Sequence, residues 1–243
     1  MKWLALALPL LAGVTGATGA PSDATRCSAR SGPAMTPVVE LYTSEGCSSC
    51  PPADRWLGTL TPRRDVVALA FHVDYWDRLG WKDRFADAAY TERQYRQRRS
   101  SGTSLVYTPQ VLLDGRDWRG WRQGRITAGP PAAVELQLQR DGATVQARVI
   151  PQAGAHGRYG AYWAAVEDGH VSTVRAGENA GATLRHDHVV RDYRALAPWP
   201  AAEPRTLRFD SPVAGEDGRP RRVVFVVEDA DTGRPLQALA LRC

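Results

Sequence analysis

The sequence predicts an α/β domain with the order β-α-β-α-β, followed by a mostly β, sandwich-like carboxyl-terminal domain. Between residues 38 and 113, short apolar runs alternate with amphipathic stretches, which is typical of strands joined by helices. After residue 132, apolar and polar residues alternate singly, as they do in half-buried antiparallel strands. The segment 129–131, Gly-Pro-Pro, lies between the two patterns. We therefore place the α/β domain at residues 34–128 and the β-rich domain at residues 132–243.

Residues 1–20 have the features of a signal peptide. Lys2 precedes an apolar run at residues 3–11, and small residues follow at 13–20, which is the pattern of a secretory signal. The apolar run is shorter than the roughly 20 residues that a membrane-spanning helix requires. We expect a periplasmic or secreted protein with no membrane span in the mature chain.

The composition favours an ordinary globular protein. Hydrophobic residues make up 43% of the chain and charged residues 23%, close to the globular average. The net charge of +5 is carried by arginines that are spread over the chain, so we expect no nucleic-acid partner. The densest basic run falls in a predicted helix, where such a run is typical of a solvated face; its members are Arg93, Arg96, Arg98 and Arg99.

The first predicted elements form a β-α-β unit. Residues 38–42 are an apolar run interrupted by Glu40, and residues 66–73 are almost entirely apolar, so both are predicted as strands. Between them, apolar residues recur with helical spacing at Ala53, Trp56, Leu57 and Leu60. Parallel strands joined by a helix place a ligand crevice at their carboxyl ends. Two cysteines follow the first strand at this edge.

The remaining elements complete the two predicted domains. A second helix is predicted at residues 83–99, from the spacing of Phe85, Ala88, Ala89 and Tyr95, and a third strand at residues 110–113. Three β-hairpins are predicted after the boundary, at residues 134–150, at residues 159–174 around Asp168-Gly169, and at residues 223–241.

The four cysteines separate into a distant pair and a close pair. Cys27 precedes the first predicted strand and Cys243 ends the chain, so in an oxidising compartment we expect a structural disulfide between them. In the chain-entropy treatment a loop of this length contributes at most about 5 kcal/mol to stability. Cys47 and Cys50 are separated by two residues and can close a small disulfide ring of their own.

A Cys-x-x-Cys pair at the start of a helix suits thiol chemistry. The unpaired N–H groups and the dipole of a helix favour a thiolate there, and Pro51-Pro52 fit the first turn of a helix that begins near residues 48–49. We expect Cys47 to be the exposed attacking thiol and Cys50 the resolving thiol of an exchange through a mixed disulfide. The same pair also fits an inert disulfide or half of a metal site.

The surroundings of this pair resemble the thioredoxin superfamily. The pair follows an apolar strand, opens an amphipathic helix and precedes Thr108-Pro109, which introduces the third predicted strand. The resemblance implies that Pro109 is a cis-proline lying against the cysteines and that the backbone of Thr108 binds substrate. The alternative is an ordinary turn.

A longer segment, residues 39–54 with the motif Cys-Ser-Ser-Cys-Pro-Pro, is similar to the signature of one family of exported thioredoxin-like proteins catalogued as a domain of unknown function. The resemblance extends to residues 72–77, 107–110, 177–181 and 184–186. It implies a thioredoxin-like fold for the α/β domain and implies no substrate. The chain departs from the family at residues 125–133, which are short and broken by prolines where family members carry a longer helical stretch.

Aromatic residues follow the second and third predicted strands, at Tyr75, Trp76, Trp81, Trp118 and Trp121. On the edge that holds the cysteines they would form an apolar platform for an unfolded polypeptide, with Trp76 in a substrate groove beside Thr108 and Pro109. The alternative is that they cap the core at the edge of the sheet.

The sequence predicts no metal site, and His72 is the candidate ligand if one exists. With the two cysteines it would suit copper or zinc; the alternative is a packed, hydrogen-bonded histidine. His186 and His188 face the same side if they lie on a strand, and His170 could join them. Residues 177–181 are predicted as a structured turn whose polar side chains bond to backbone, with a ligand-binding role as the alternative.

We predict thiol–disulfide exchange on periplasmic proteins through Cys47 and Cys50, with thiols or disulfides of exported proteins as partners and no cofactor. Two alternatives remain open. One is a binding protein that holds copper or another soft metal with the same cysteines. The other is a non-catalytic scaffold with a permanently closed disulfide. The β-rich domain would provide partner recognition or dimerisation.

Overall fold

The structure is a computed structural model that describes residues 26–215 and 217–243, and the predicted signal segment at residues 1–20 lies outside the described residues. The strands of the described part are β1 (Arg26–Arg30), β2 (Val38–Thr43), β3 (Val67–His72), β4 (Gln110–Leu113), β5 (Arg116–Asp117), β6 (Val134–Asp141), β7 (Thr144–Pro151), β8 (Arg158–Glu167), β9 (His170–Thr173), β10 (Thr183–His186), β11 (Val189–Pro200), β12 (Arg205–Asp210), β13 (Arg222–Asp229) and β14 (Pro235–Leu241). Its helices are α1 (Pro51–Gly58), α2 (Ala88–Gln97) and a short 3-10 helix at Asp77–Leu79. None of these helices is long and apolar enough to cross a membrane.

The strands form three sheets. A mixed eight-stranded sheet has the order β14-β13-β8-β11-β3-β2-β4-β5, a four-stranded sheet has the order β1-β6-β7-β12, and β9 and β10 form a separate pair. β2 and β3 are parallel, with Thr43 opposite His72 at their carboxyl ends. β11 joins β3 in parallel at a single residue pair, Val189 and Ala70. The strands from the two halves of the chain meet at this junction.

Three apolar clusters hold the layers together. α1 packs on β2, β3 and β4 through a cluster that includes Leu57. The four-stranded sheet packs on β8, β13 and β14 through Leu136, Phe225 and their neighbours. In the third cluster, Tyr90 of α2 packs on the eight-stranded sheet against Phe71. Each cluster places buried aliphatic and aromatic side chains between two layers. Removing this apolar surface from water is the largest favourable contribution to folding.

The predicted fold class, a β-α-β-α-β thioredoxin-like domain followed by a separate sandwich-like domain, is wrong. The described residues are 43% strand and 10% helix, and β8, β11, β13 and β14 continue the sheet that contains β2, β3 and β4. Hydrophobic periodicity reports which face of a strand is buried, but it does not report which strand lies beside it. The division at residues 34–128 and 132–243 stays a prediction, although both ranges contribute strands to one sheet.

The predicted hairpins have mixed outcomes. Those at residues 134–150 and 223–241 are confirmed as the antiparallel pairs β6–β7 and β13–β14. The hairpin at residues 159–174 is wrong, because β8 pairs with β11 and β13 while β9 pairs with β10. Asp168-Gly169 turns the chain at the predicted place, but the turn leads β9 away from the strand that precedes it.

Both helices are shorter than predicted. α1 begins at Pro51, with Cys50 as its N-cap, because the two prolines occupy the turn in which a missing N–H costs least. α2 begins after Asp87, whose side chain accepts a hydrogen bond from Ala89 N, an arrangement typical of a helix N-cap. Tyr95, predicted on the apolar face of this helix, is 52% exposed.

The predicted solvated arginine face is only partly correct. Arg96, Arg98 and Arg99 are exposed, but Arg93 is 2% exposed. Its Nη2 donates to Glu40 Oε1 at 2.6 Å. The carboxylate that interrupts the apolar run of β2 therefore has a buried partner on α2, which is what a buried charge requires.

The structure contains the two predicted disulfides. Cys27 pairs with Cys243 and Cys47 pairs with Cys50. Cys27 lies within β1 rather than before the first strand. The bond therefore ties β1, in the four-stranded sheet, to Cys243. This residue follows β14, which is a strand of the eight-stranded sheet.

Candidate functional site

The close cysteine pair lies in a tight turn between β2 and α1, residues 44–50, which we call the cysteine turn. Cys47 N donates to Ser44 O at 3.2 Å, and Cys50 N donates to Cys47 O at 3.1 Å. The two cysteines are disulfide-bonded, with their Cα atoms 5.4 Å apart. Because Cys50 is the N-cap of α1, the pair lies at the positive end of the helix dipole.

Both cysteines are buried in this disulfide form, each with 0% of its surface exposed. The prediction of an exposed Cys47 is therefore wrong, although Ser48 and Ser49 between the cysteines are exposed. Two groups of side chains from distant parts of the chain cover the cysteine turn.

Thr108 and Trp76 form the first part of the cover. The Thr108-Pro109 peptide bond is cis, and Thr108 Oγ1 donates to Cys47 Sγ at 3.3 Å. Trp76 Nε1 donates to Thr108 Oγ1 at 2.8 Å. A Cβ added to Gly46 would lie 3.1 Å from Trp76 Cβ, so Trp76 is tightly apposed to the turn. The predicted groove residues thus come together beside Cys47, and their binding of a substrate stays a prediction.

The loop between β9 and β10, residues 177–181, forms the second part, and we call it the cover loop. Glu178 Oε2 accepts hydrogen bonds from Ser48 N at 3.0 Å and from Ser48 Oγ at 2.7 Å. These bonds hold the pKa of Glu178 below its ordinary value. Asn179 Nδ2 donates to two carbonyl oxygens of the cysteine turn, at 2.8 and 2.9 Å. The polar side chains of this loop bond to backbone, as predicted.

Five buried ionisable side chains lie on the interior side of the cysteine turn. We call them the acid–histidine cluster: Glu45, Asp54, His72, Asp83 and His186. His72 Nδ1 lies 2.7 Å from Asp83 Oδ2, within hydrogen-bond distance, and the rings of His72 and His186 are 5.0 Å apart. His186 Nε2 lies 3.3 Å from Glu45 Oε1. The cluster joins the cysteine turn, α1, β3, β10 and the loop before α2.

The electrostatics of this cluster favour positive charge on His186. Burial works to lower the pKa of His186, but the carboxylates of Asp54 and Glu45 raise it to about 9. Burial works to raise the pKa of Glu45, but the nearby side chains of His186, Ser172 and Trp81 bring it below its ordinary value. Burial also works to raise the pKa of Asp83, but its contact with His72 and the hydrogen bonds from the backbone N–H groups of Glu45 and Phe85 outweigh burial and lower it. Opposite charges thus stabilise one another out of water.

Three members of the cluster are placed to hold a metal ion. One ligand atom each from Asp54, His72 and His186 lies within 4.8 Å of the other two. This group, found among the described residues, does not include Cys47 or Cys50. The alternative in which His72 and the cysteines together bind copper is therefore not supported by the disulfide form.

The three histidines His170, His186 and His188, whose grouping the sequence left open, have separate contacts. His188 has a positive φ of 58° and lies 3.1 Å from Thr61 Oγ1 through its Nε2. His170 Nε2 lies 2.8 Å from Glu167 Oε2. His186 alone of the three joins the acid–histidine cluster, because the chain leaves the regular strand geometry after β10.

Most of the aromatic loop residues contact other buried side chains. Trp81 Nε1 donates to Glu45 Oε2 at 2.7 Å. The rings of Trp118 and Trp121 lie 5.7 and 5.2 Å from that of Trp56 on α1. These contacts favour the alternative in which the aromatic residues cap the core.

Sequence analysis missed Asp54 and Asp83. Asp54 had a detectable signal, because it lies four residues after Cys50 and residues at that spacing share a helix face. Asp83 had no detectable sequence signal, because it contacts His72 only after the chain folds back from the 3-10 helix. The contacts between the cover loop and the cysteine turn could not be predicted either, because Glu178 and Ser48 are 130 residues apart in the sequence.

The fold and the site define a class of protein: a mixed β-sheet protein with a covered Cys-x-x-Cys disulfide at the start of a helix. Residues 38–227 match the family described as Protein of unknown function (DUF1223), and the chain belongs to this family. No curated protein matches the sequence.

Two solved structures are similar to this one. A structural-genomics crystal structure of a protein from Agrobacterium tumefaciens is 29% identical, with a TM-score of 0.63, and the match covers 87% of this chain and 96% of that chain. HBP35 of Porphyromonas gingivalis is 15% identical, with a TM-score of 0.55, and the match covers 86% of this chain and 75% of that chain. The second likeness concerns the fold alone.

Proposed function

We propose that this protein exchanges thiols and disulfides with exported proteins through Cys47 and Cys50. The observation that carries the proposal is the position of the disulfide: it lies at the N-cap of α1, with Thr108 Oγ1 3.3 Å from Cys47 Sγ. The helix dipole and a hydroxyl donor both stabilise negative charge on sulfur. The Cys27–Cys243 disulfide supports a periplasmic or secreted location, because such bonds persist in oxidising compartments.

The exchange follows from the closed disulfide. A substrate thiolate attacks Cys47 Sγ, the bond between the two cysteines breaks, and Cys50 leaves as a thiolate. A second substrate thiolate then attacks the substrate sulfur of the mixed disulfide and releases Cys47. The substrate gains a disulfide and the protein gains two thiols. The reverse sequence reduces a substrate disulfide.

Access to the sulfur requires movement of the cover. Because both cysteines have no exposed surface, a substrate reaches Cys47 only when the cover loop or Thr108 withdraws. The hydrogen bonds that Ser48 donates to Glu178 are at an exposed position. Water competes there for the N–H and O–H groups of Ser48. The cover loop is therefore the part of the cover that opens at lower cost.

A second candidate is a non-catalytic scaffold whose disulfide stays closed. The complete burial of both cysteines favours it. A reduction potential below about −300 mV for this pair is typical of a structural disulfide, whereas exchange with cellular dithiols requires a higher potential.

The deciding experiment traps the intermediate in cells. Cys50→Ala leaves Cys47 without its resolving thiol, so we expect covalent complexes with exported proteins that disappear on reduction. Cys47→Ala is the matched control, because it also leaves one thiol but removes the proposed attacking group. If neither variant accumulates complexes, and the wild-type pair has the low potential of a structural bond, the scaffold replaces the exchange protein.

A further inference from the structure

We propose that His72, His186 and Asp54 form a binding site for a divalent transition-metal ion of the zinc type. Their ligand atoms lie within 4.8 Å of one another, and the three side chains are buried. Imidazole nitrogen and carboxylate oxygen bind zinc at about 2.0 to 2.2 Å. The three ligand atoms must therefore move closer together to bind a single ion.

His72 is held in the orientation of a metal ligand. Its Nδ1 lies 2.7 Å from Asp83 Oδ2, while its buried Nε2 has no hydrogen-bond partner among the described residues. A carboxylate on the far nitrogen of a ligating histidine is the usual second contact of a metal site. A histidine that served packing alone would leave this buried nitrogen unsatisfied at a cost.

His186 and Asp54 also have atoms that are free to bind a metal ion among the described residues. Both ring nitrogens of His186 are buried without a hydrogen-bond partner in the described part of the chain. Its Nε2 lies 3.3 Å from Glu45 Oε1, and its Nδ1 lies 3.9 Å from Asp54 Oδ1. Thr43 Oγ1 donates to the other oxygen, Asp54 Oδ2, at 3.1 Å. Nδ1 of His186 and Oδ1 of Asp54 are thus left to share an ion.

The charge of the acid–histidine cluster also favours a cation. Glu45, Asp54 and Asp83 bring three buried carboxylates to two imidazoles, and burying charge without compensation is expensive. A divalent ion between the ligands would balance the carboxylates.

A cavity gives the site an opening. It has a volume of about 160 Å³ and is lined by Asp54 and His186 together with residues of α1 and β10. Three protein ligands with a fourth open position are typical of zinc sites that bind water or substrate. Arg55 and Arg185 also line the cavity, which favours an anionic fourth ligand.

The site is separate from the exchange chemistry proposed above. Asp54 N donates to Cys50 O at 3.2 Å, so Asp54 lies one helical turn after Cys50, and the other two ligands lie on β3 and β10. No cysteine belongs to the ligand group. Metal binding therefore neither requires the cysteines to be reduced nor depends on any exchange activity.

The test uses the full mature protein with both disulfides intact, stripped with a chelator and titrated with zinc against a chromophoric competitor. We expect one zinc ion per chain by elemental analysis. His186→Gln should lower the affinity by at least about 100-fold, and Asp83→Asn, which keeps all three ligands, by about 10- to 100-fold. His156→Gln is the matched control, because His156 is an exposed histidine outside the cluster.

Further variants distinguish the outcomes. The double variant Cys47→Ser, Cys50→Ser should bind zinc as the wild type does; if it loses zinc, cysteines are the ligands and the proposal is overturned. Equal affinity of the wild type and His186→Gln, or no zinc on the wild type, also overturns it. If His186→Gln fails to fold by near-ultraviolet circular dichroism, Asp83→Asn carries the comparison. Failure of the trapping experiment would leave all these results unchanged.

Discussion

At the scale of single residues, Arg93 and Glu40 form a buried pair between α2 and β2. Arg93 Nη2 donates to Glu40 Oε1 at 2.6 Å, and its guanidinium carbon lies 4.0 Å from the centre of the Tyr162 ring. The hydroxyls of Tyr42 and Tyr162 donate to the same carboxylate at 2.9 and 2.8 Å. Glu40 thus accepts hydrogen bonds from three donors, which is what a carboxyl group in a buried strand requires.

A second carboxylate near this pair is less well satisfied. Glu228 Oε2 lies 3.7 Å from Arg93 Nη2 and has no hydrogen-bond partner in the described part of the chain. Burial raises the pKa of Glu228 above its ordinary value of 4.5; the charge of Glu40 adds to this, and Arg93 and Arg96 oppose it. Glu228 is therefore a site where ionisation works against folding.

We predict that Glu228→Gln removes a pH-dependent loss of stability. The folded-state pKa lies above the unfolded value, so between the two the native state binds more protons and stability falls as pH rises. The free energy of unfolding of the wild type should fall relative to that of Glu228→Gln as the pH increases from about 4 towards neutrality. Urea denaturation at a series of pH values measures the difference.

The control for that series is Glu203→Gln, which removes an exposed carboxylate. Its unfolding free energy should stay parallel to that of the wild type. Parallel curves for Glu228→Gln as well would show that this carboxyl ionises equally easily in both states.

At the scale of elements, the β9–β10 pair has a specific task. Its strands pair with each other and with neither large sheet, and β10 contacts α1. The pair contributes His186 at one end and the cover loop at the other. A short accessory hairpin thus reaches both the interior and the outer side of the cysteine turn.

We predict that Asn179→Ala accelerates reduction of the Cys47–Cys50 disulfide by dithiothreitol about 30-fold. The substitution removes two hydrogen bonds to the cysteine turn, each contributing about 1 kcal/mol, and a tenfold change in the open population corresponds to about 1.4 kcal/mol. Thiol alkylation followed by mass spectrometry measures the rate. Gln152→Ala, an exposed amide in the loop after β7, should leave it unchanged. An unaltered rate for Asn179→Ala would mean that the cover loop does not limit access.

At the scale of the whole molecule, the Cys27–Cys243 disulfide closes almost the entire described chain. The two cysteines are 216 residues apart, and they connect β1 in one sheet to the end of the chain beyond β14 in the other. Both sheets bury side chains in the same cluster. The bond therefore limits how far the two ends of the chain can separate in the unfolded state.

We predict that the double substitution Cys27→Ser, Cys243→Ser lowers the free energy of unfolding by about 2 to 5 kcal/mol, because it removes the closure of a very long loop. The double substitution Cys47→Ser, Cys50→Ser is the matched control, since its short loop gives about 2 kcal/mol in the same treatment. Guanidinium denaturation of both variants measures the difference. A smaller loss for the long loop than for the short one would contradict the prediction.

Local features were predictable from the sequence because neighbouring residues determine them. The apolar runs of β2 and β3, the hairpins β6–β7 and β13–β14 and the two cysteine pairs all follow from spacing and residue type. The placement of Thr108-Pro109 beside Cys47 was instead implied by the resemblance to the thioredoxin superfamily. The lengths of the helices were less accurate, since Pro51 and the Asp87 cap decide where hydrogen bonding begins. The burial of Arg93 was missed, because its partner Glu40 lies on another element.

The sequence by itself determined several of the strands, such as β2, β3 and β6, that two prolines follow Cys50, and which cysteines pair; it did not predict β1, β11 or β12. Only the tertiary structure decided that one sheet spans both halves of the chain, that the disulfide is covered, and that His72, His186 and Asp54 meet. Periodicity and spacing act over one helical turn or one strand pair. Contacts between β10, α1 and β3 depend instead on how the layers pack, and a single chain records no trace of that packing in its local pattern.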